Sequence, residues 1–349
     1  MRIFFIIFLF LTGCVIDLNN NLGDHPVSIP EKALLLESIK PFERIYIMDI
    51  ENMNIVDSLF IVYPLPEYER KEWALDGFTL VDNKYIAYGV TYDLWVEIKD
   101  FVRILDIRSG EIVKEIKVTI PEIMSAPFYV NGHKYVMTSG MGVFSNIVNV
   151  IDLTRLKLVS SFVINGILGL QSLNVASQDI DGEVYFVNLL PDSVIVWRLN
   201  TSDFKSYEKI LNVGRCCGCV VYNKKIYAYY QDNSIKVYNF KGEILKEISF
   251  GYKIHSFSII NGFLICSTEE PSYLLKINPE TFEYKGLKLD YSPTCDDIRY
   301  SKSLNLLFTT NSILGSFLHI YFIDFENFVI TGEFLDYNKE GVFFMEVLE

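Results

Sequence analysis

Histidine is scarce here: four residues, His25, His133, His255 and His319, in a chain of 349. Acid–base catalysis or metal binding built on clustered imidazoles has little material to work with. No Gly-x-Ser-x-Gly, Walker or dinucleotide glycine pattern occurs, so the local signatures of activated-serine hydrolysis and nucleotide phosphate binding are missing. Positive charge is in deficit: 31 Lys and Arg stand against 44 Asp and Glu, a net charge of −13. That balance repels phosphate backbones and excludes nucleic acid as an expected partner. Beyond Cys14 the cysteines are Cys216, Cys217, Cys219, Cys266 and Cys295, an odd number without a disulfide-framework spacing. What the chain does have is bulk: 50% hydrophobic residues, 26 Phe and 22 Tyr, a composition that excludes disorder along most of its length and suits packed strands.

The N-terminus reads Met1-Arg2, then nine apolar residues, Ile3 to Leu11, then Thr12-Gly13-Cys14. Nine residues cannot span a bilayer but match the apolar stretch of a secretory signal. Leu11-Thr12-Gly13-Cys14 resembles the lipobox of bacterial lipoproteins. The resemblance implies a signal peptide over residues 1–13, removal of that segment, and a diacylglyceryl anchor on Cys14. It also implies an extracytoplasmic protein of the cell envelope, tied to the membrane by lipid; Val15, where inner-membrane lipoproteins tend to carry Asp, points to the outer membrane of a two-membrane cell. Residues 14–30, with Asn19-Asn20-Asn21, Gly23, Asp24, Pro26 and Pro30, read as a flexible tether.

Residues 31–349 read as one all-β domain, since short alternating runs bounded by turn residues recur and no long stretch keeps a helical period. One unit repeats clearly: the strand Phe101 to Leu105, the turn Asp106-Ile107-Arg108-Ser109-Gly110, and the strand Glu111 to Ile116. Counterparts of Asp106 are Asp49, Asp152, Arg198, Asn239, Lys276 and Asp324, separated in turn by 57, 46, 46, 41, 37 and 48 residues. A spacing of about 46 lies in the range of propeller blades, and seven hairpins predict a seven-bladed β-propeller, with six or eight blades as alternatives. A second turn precedes six of the seven: Asp82-Asn83, Asn131-Gly132, Asp181-Gly182, Asn223-Lys224, Asn261-Gly262 and Ser301-Lys302. Six residues before the second member of each pair stand Gly77, Ala126, Ala176, Gly218, Ser256 and Asp296, five of them small, as crowded inner strands require. The first hairpin lacks an inner partner and the chain ends on an orphan strand, Gly341 to Leu348. Pairing that strand beside Lys32 to Ile39 closes the ring and removes both exposed edges. The alternative at Glu31 to Ile39 is a short helix.

The repeat resembles the bacterial seven-bladed propellers called YVTN or quinoprotein-like. Trp-Asp dipeptides are absent, and Trp73, Trp95 and Trp197 do not recur at one blade position. WD40 membership and quinone binding therefore lose support.

Propellers take ligands at the mouth of the axial channel. Seven residues before each inner turn stand Asp76, Ser125, Val175, Cys217, His255 and Cys295. Cys217, His255 and Cys295 from consecutive blades, with Asp76 or water, are a candidate divalent-metal constellation, Zn²⁺ needing donors at about 2.0–2.3 Å. The competing expectation is ordinary: buried thiols and a hydrogen-bonded imidazole. Asp296, Asp297 and Arg299 resemble the acidic sites that propeller sugar-lactone hydrolases use to hold Ca²⁺, and Arg215 is a candidate contact for an anion. Their competing expectation is solvated turns. Cys216-Cys217-Gly218-Cys219 has a Cys-x-x-Cys spacing; on a strand Cys216 and Cys219 point to opposite faces, unless Gly214 or Gly218 introduces a bulge.

Two functions follow as expectations. One is a lipid-anchored binding or scaffold module for a protein or glycan partner, using aromatic connections such as Tyr63 to Tyr68 and Tyr88 to Lys99. The other is a metal-assisted envelope hydrolase or lyase at the channel mouth.

Overall fold

The computed structural model of the chain describes residues 30–38, 44–60, 72–73, 78–94, 97–119, 123–139, 147–164, 167–168, 176–190, 192–293, 298–310, 317–340 and 343–348. The lipobox, Cys14, the tether up to residue 29, and Tyr63 to Tyr68 lie outside them.

Two kinds of turn set the architecture. At Asn131-Gly132, Asn223-Lys224 and Asn261-Gly262 both residues adopt left-handed φ, 51° and 79°, 49° and 56°, 46° and 81°. This turn matches the right-handed twist of its flanking strands, and Asn and Gly tolerate it best. The outer turns are closed by an Asx side chain that accepts backbone N–H groups two or three residues on. Asp106 Oδ1 accepts from Arg108 at 2.9 Å, Asp152 Oδ1 from Arg155 at 2.8 Å, Asn239 Oδ1 from Lys241 at 3.0 Å and Asp324 Oδ1 from Asn327 at 2.7 Å. In blades four and six the capping residues are Asn200, bonded to Ser202 N–H at 3.0 Å, and Asn278, bonded to Glu280 N–H at 2.9 Å. Both lie two residues past the expected Arg198 and Lys276, because these strands run two residues further before their turns.

Alternating hairpins of the two kinds give seven antiparallel sheets, each of four consecutive strand positions. Blades two to seven occupy residues 72–117, 123–163, 167–212, 218–249, 253–288 and 298–340. Blade one takes Ala33–Ser38, Arg44–Asp49 and Asn54–Phe60, and its innermost strand is Phe343–Leu348 from the far end of the chain. The register runs antiparallel from Ala33 opposite Leu348 to Ser38 opposite Phe343. The chain is a seven-bladed β-propeller. The segment from Ala33 is a strand, not a helix.

The core lies between blades, where facing sheets interdigitate. Leu34, Leu36 and Met48 of blade one meet Phe308, Ile320 and Phe322 of blade seven around Met345. In six of the seven blades the third strand slips register against the fourth near the outer turn, as between Ile104 and Leu105 or Val150 and Ile151. Such bulges sharpen twist, which the radial stacking of blades requires. Polar clamps also cross between blades. The buried carboxylate of Asp179 in blade four accepts the N–H groups of Asn223 at 2.6 Å and Lys224 at 2.9 Å in the inner turn of blade five.

Candidate functional site

Of the residues singled out above, Asp76, Cys295, Asp296 and Asp297 lie outside the described residues. Cys217, His255, Arg215 and Arg299 do not, and the fold separates their roles.

Cys217 sits where the blade alignment places it. Its N–H donates to the Tyr229 carbonyl at 2.8 Å, as the N–H of Ser125 donates to Met137 in blade three, also at 2.8 Å. The thiol packs against the apolar layer between blades five and six, and burial pushes its pKa up. His255, one blade on, is the unpaired residue of a bulge between Ile254 and Ser256. Its Nε2 is 3.8 Å from Glu269 Oε1. The Lys253 ammonium, hydrogen-bonded to Glu269, holds that carboxyl below its ordinary range. Among the described residues no three His, Cys, Asp or Glu side chains stand close enough to share a metal ion. Arg215 is exposed in the connection between blades four and five.

Arg299 is not a solvated mouth residue. From the innermost strand of blade seven, Ile298–Ser301, its Nε lies 3.5 Å from Glu346 Oε1 on the C-terminal strand, with the two side chains 14% and 16% exposed. Its Nη1 donates to the Ile298 carbonyl at 2.9 Å. Burial raises the Glu346 carboxyl despite the opposing pull of Arg299 and Lys134. Lys134, from blade three, hydrogen-bonds the Leu80 carbonyl of the inner strand of blade two. Arg299 and Glu346 thus meet on the innermost strands of blades seven and one, and Lys134 acts on Glu346 from the second strand of blade three. Sequence reasoning missed Glu346 and Lys134, whose one signal was that an acidic residue interrupts an otherwise apolar orphan strand.

The open space lies instead on the face that carries both sets of turns. A cavity of about 700 Å³ separates the turns of blades three and four, lined by Tyr129, Asn131, Glu183, Arg198, Tyr207 and Glu208 among others. Arg198 Nη1 is 3.1 Å from Glu183 Oε2 and its Nη2 pairs with Glu208. Tyr129, 54% exposed, is fixed by its backbone: Gln178 Oε1 accepts its N–H at 2.9 Å, and the same amide donates to its carbonyl. A second cavity, about 530 Å³, lies between blades six and seven around Lys276. The Lys276 ammonium sits 4.1 Å above the Phe325 ring and 4.4 Å above Phe263, and burial lowers its pKa. The residues expected to mark turns, Arg198 and Lys276, line these two cavities, Lys276 together with Lys285. Tyr88 to Lys99, expected as a contact loop, is largely hairpin: Tyr85–Leu94 pairs with Glu97–Asp106, and Tyr88 is fully buried.

No family model matches the sequence, and no curated protein matches it either. Solved structures match it in shape. A dihydro-heme d1 dehydrogenase, NirN, in complex with DHE superposes with a TM-score of 0.54 at 10% identity, covering 92% of this chain and 76% of the other. A structure from a study of two prolyl endopeptidases gives 0.55 at 10% identity, covering 93% of this chain and 50% of that one. Apo AztD from Citrobacter koseri gives 0.50 at 9% identity, covering 90% and 98%. Identities this low speak for the fold alone, and the fold agrees.

Proposed function

We propose that this propeller is a binding module of the cell envelope, held by lipid on Cys14, and that a protein or glycan partner enters the turn-face cavity between blades three and four. The cavity carries the reading. Its volume of about 700 Å³ suits one sugar unit or one large side chain with its neighbours. Arg198 is pre-oriented by two carboxylates, and the Tyr129 ring offers contact area at little conformational cost because its backbone is clamped on both sides. Asp181, Glu183 and Glu208 outnumber Arg198 in the lining, which favours a neutral or cationic partner over an anionic one.

The test is binding to glycan arrays and envelope extracts by the protein lacking residues 1–14, beside Tyr129→Ala and Arg198→Ala. Both variants should lose at least about tenfold in capture of the partner with an unchanged melting curve, a loss of roughly 1.4 kcal/mol or more. Undiminished capture by both would move the partner elsewhere on the ring.

A further inference from the structure

The connection from blade four to blade five brings together two thiols that the Cys-x-x-Cys spacing alone assigns to opposite faces. Gly214 adopts a left-handed φ of 73°, and Cys216 N–H folds back onto the Gly214 carbonyl at 3.1 Å. The inner strand of blade five, Gly218–Tyr222, begins only after Cys217, so strand alternation does not govern Cys216. As a result Cys216 and Cys219 both pack in the apolar layer between blades four and five, with Val213, Tyr230 and Tyr238. Cys217 turns the other way, into the layer between blades five and six. The Cys216 thiol lies close enough to Cys219 to act on its ionisation. Two tyrosine hydroxyls of this layer are already committed: Tyr230 donates to the Val213 carbonyl at 2.8 Å and pairs with the Tyr238 hydroxyl at 2.7 Å.

We infer that Cys216 and Cys219 form a dithiol site that closes to an intramolecular disulfide by exchange with an external disulfide. Two cysteines three residues apart in one packing layer, on a connection that is not yet strand, can turn their sulfurs toward each other to close an S–S bond of roughly 2.0 Å. Cys219 is buried and Cys216 is half-buried, so the order of attack is set by access. The Cys216 thiolate attacks one sulfur of the external disulfide and releases one thiol. The Cys219 thiolate then attacks the Cys216 sulfur and releases the second. Two protein thiols lose two protons and two electrons, and the external disulfide becomes two thiols. In the dithiol the Cys216 side chain first and burial second push the Cys219 thiol up; burial persists once Cys216 is capped, so the second step is slow and quickens with rising pH.

The experiment uses the full chain in detergent, treated with oxidised glutathione, alkylated, and analysed by intact mass and peptide mapping. The expected product links Cys216 to Cys219, protects two thiols from alkylation, and is reversed by reductant. Cys217→Ser should behave like the parent. Cys219→Ser should stop at a glutathione adduct on Cys216, at least tenfold more abundant than in the parent, and Cys216→Ser should give neither the adduct nor the bridge. A link through Cys217, or unchanged alkylation of both Cys216 and Cys219 in the parent, would overturn the assignment whether or not any variant folds.

Discussion

Ring closure by the C-terminal strand joins the two ends of the chain in one blade, and it is open to a quantitative test. Met345 and Leu348 are buried to 0% and 3% exposure, Met345 in the layer facing blade seven and Leu348 in the layer facing blade two. Truncating a buried Met or Leu to Ala costs about 2–5 kcal/mol, so Met345→Ala with Leu348→Ala should remove about 4–10 kcal/mol. At this chain length 1 kcal/mol corresponds to about 1.5 °C, which gives a fall of roughly 6–15 °C in melting temperature. Val329→Ala on the outermost strand of blade seven, where Val329 is 48% exposed, is the control and should stay within about 0.5 kcal/mol. Deleting residues 341–349 should do more than the double variant, because it also uncovers the edge of Ala33–Ser38 and invites aggregation. Calorimetry with urea titration reads all four proteins. If the double variant melts within 1 °C of the parent, the strand does not close the ring and the seven-blade reasoning fails.

Two further outcomes follow from the polar groups between blades. Because burial raises the folded-state pKa of Glu346 above its ordinary 4.5, the folded state favours the protonated form, so this residue's stabilising contribution is complete below about pH 4.5 and is lost as pH climbs through the raised value. Parent stability minus that of Glu346→Gln should therefore decline as pH rises above about 4.5 in urea titrations, and a flat difference would refute the sign. Asp179→Ala removes two charge-assisted bonds to the blade-five turn and should cost about 2–4 kcal/mol, since water partly replaces them; Asp179→Asn should recover about half, and equal stability of parent and both variants would show the clamp to be idle.

Most of the architecture was legible because turn chemistry is local. Asn-Gly and Asn-Lys pairs specify a left-handed dipeptide, and that dipeptide fixes both the hairpin and the twist around it. The orphan ends of the chain were legible for a different reason: an unpaired edge is costly, and only one other edge was available to cover it. Strand length was less legible. Apolar residues continue past Arg198 and Lys276 to Leu199 and Ile277, and only hydrogen bonding shows Asn200 and Asn278 to be the caps. The cysteine cluster was legible only through its exception: alternation does not govern Cys216, which precedes the strand and follows the left-handed Gly214.

That small misplacement explains where the two cavities lie. Two residues before the capping Asx stand Ile47, Ile104, Val150, Val237 and Phe322 in five blades, all buried at 2% exposure or less. In blades four and six the same position holds Arg198 and Lys276, and the two cavities open beside them. A branched or aromatic apolar side chain fills the gap between facing sheets down to the turns, whereas a long cation lies along its neighbours and keeps its head near water. The gap then stays open, lined by the carboxylates that hold the cation: Glu183 and Glu208 around Arg198. Sequence inspection for histidines and cysteines looked at the channel mouth, where propeller sites are expected, and passed over a cation at a position that is otherwise apolar. In a repeat protein the residue that departs from its own repeat is the informative one, because every other blade shows what packing alone would have placed there.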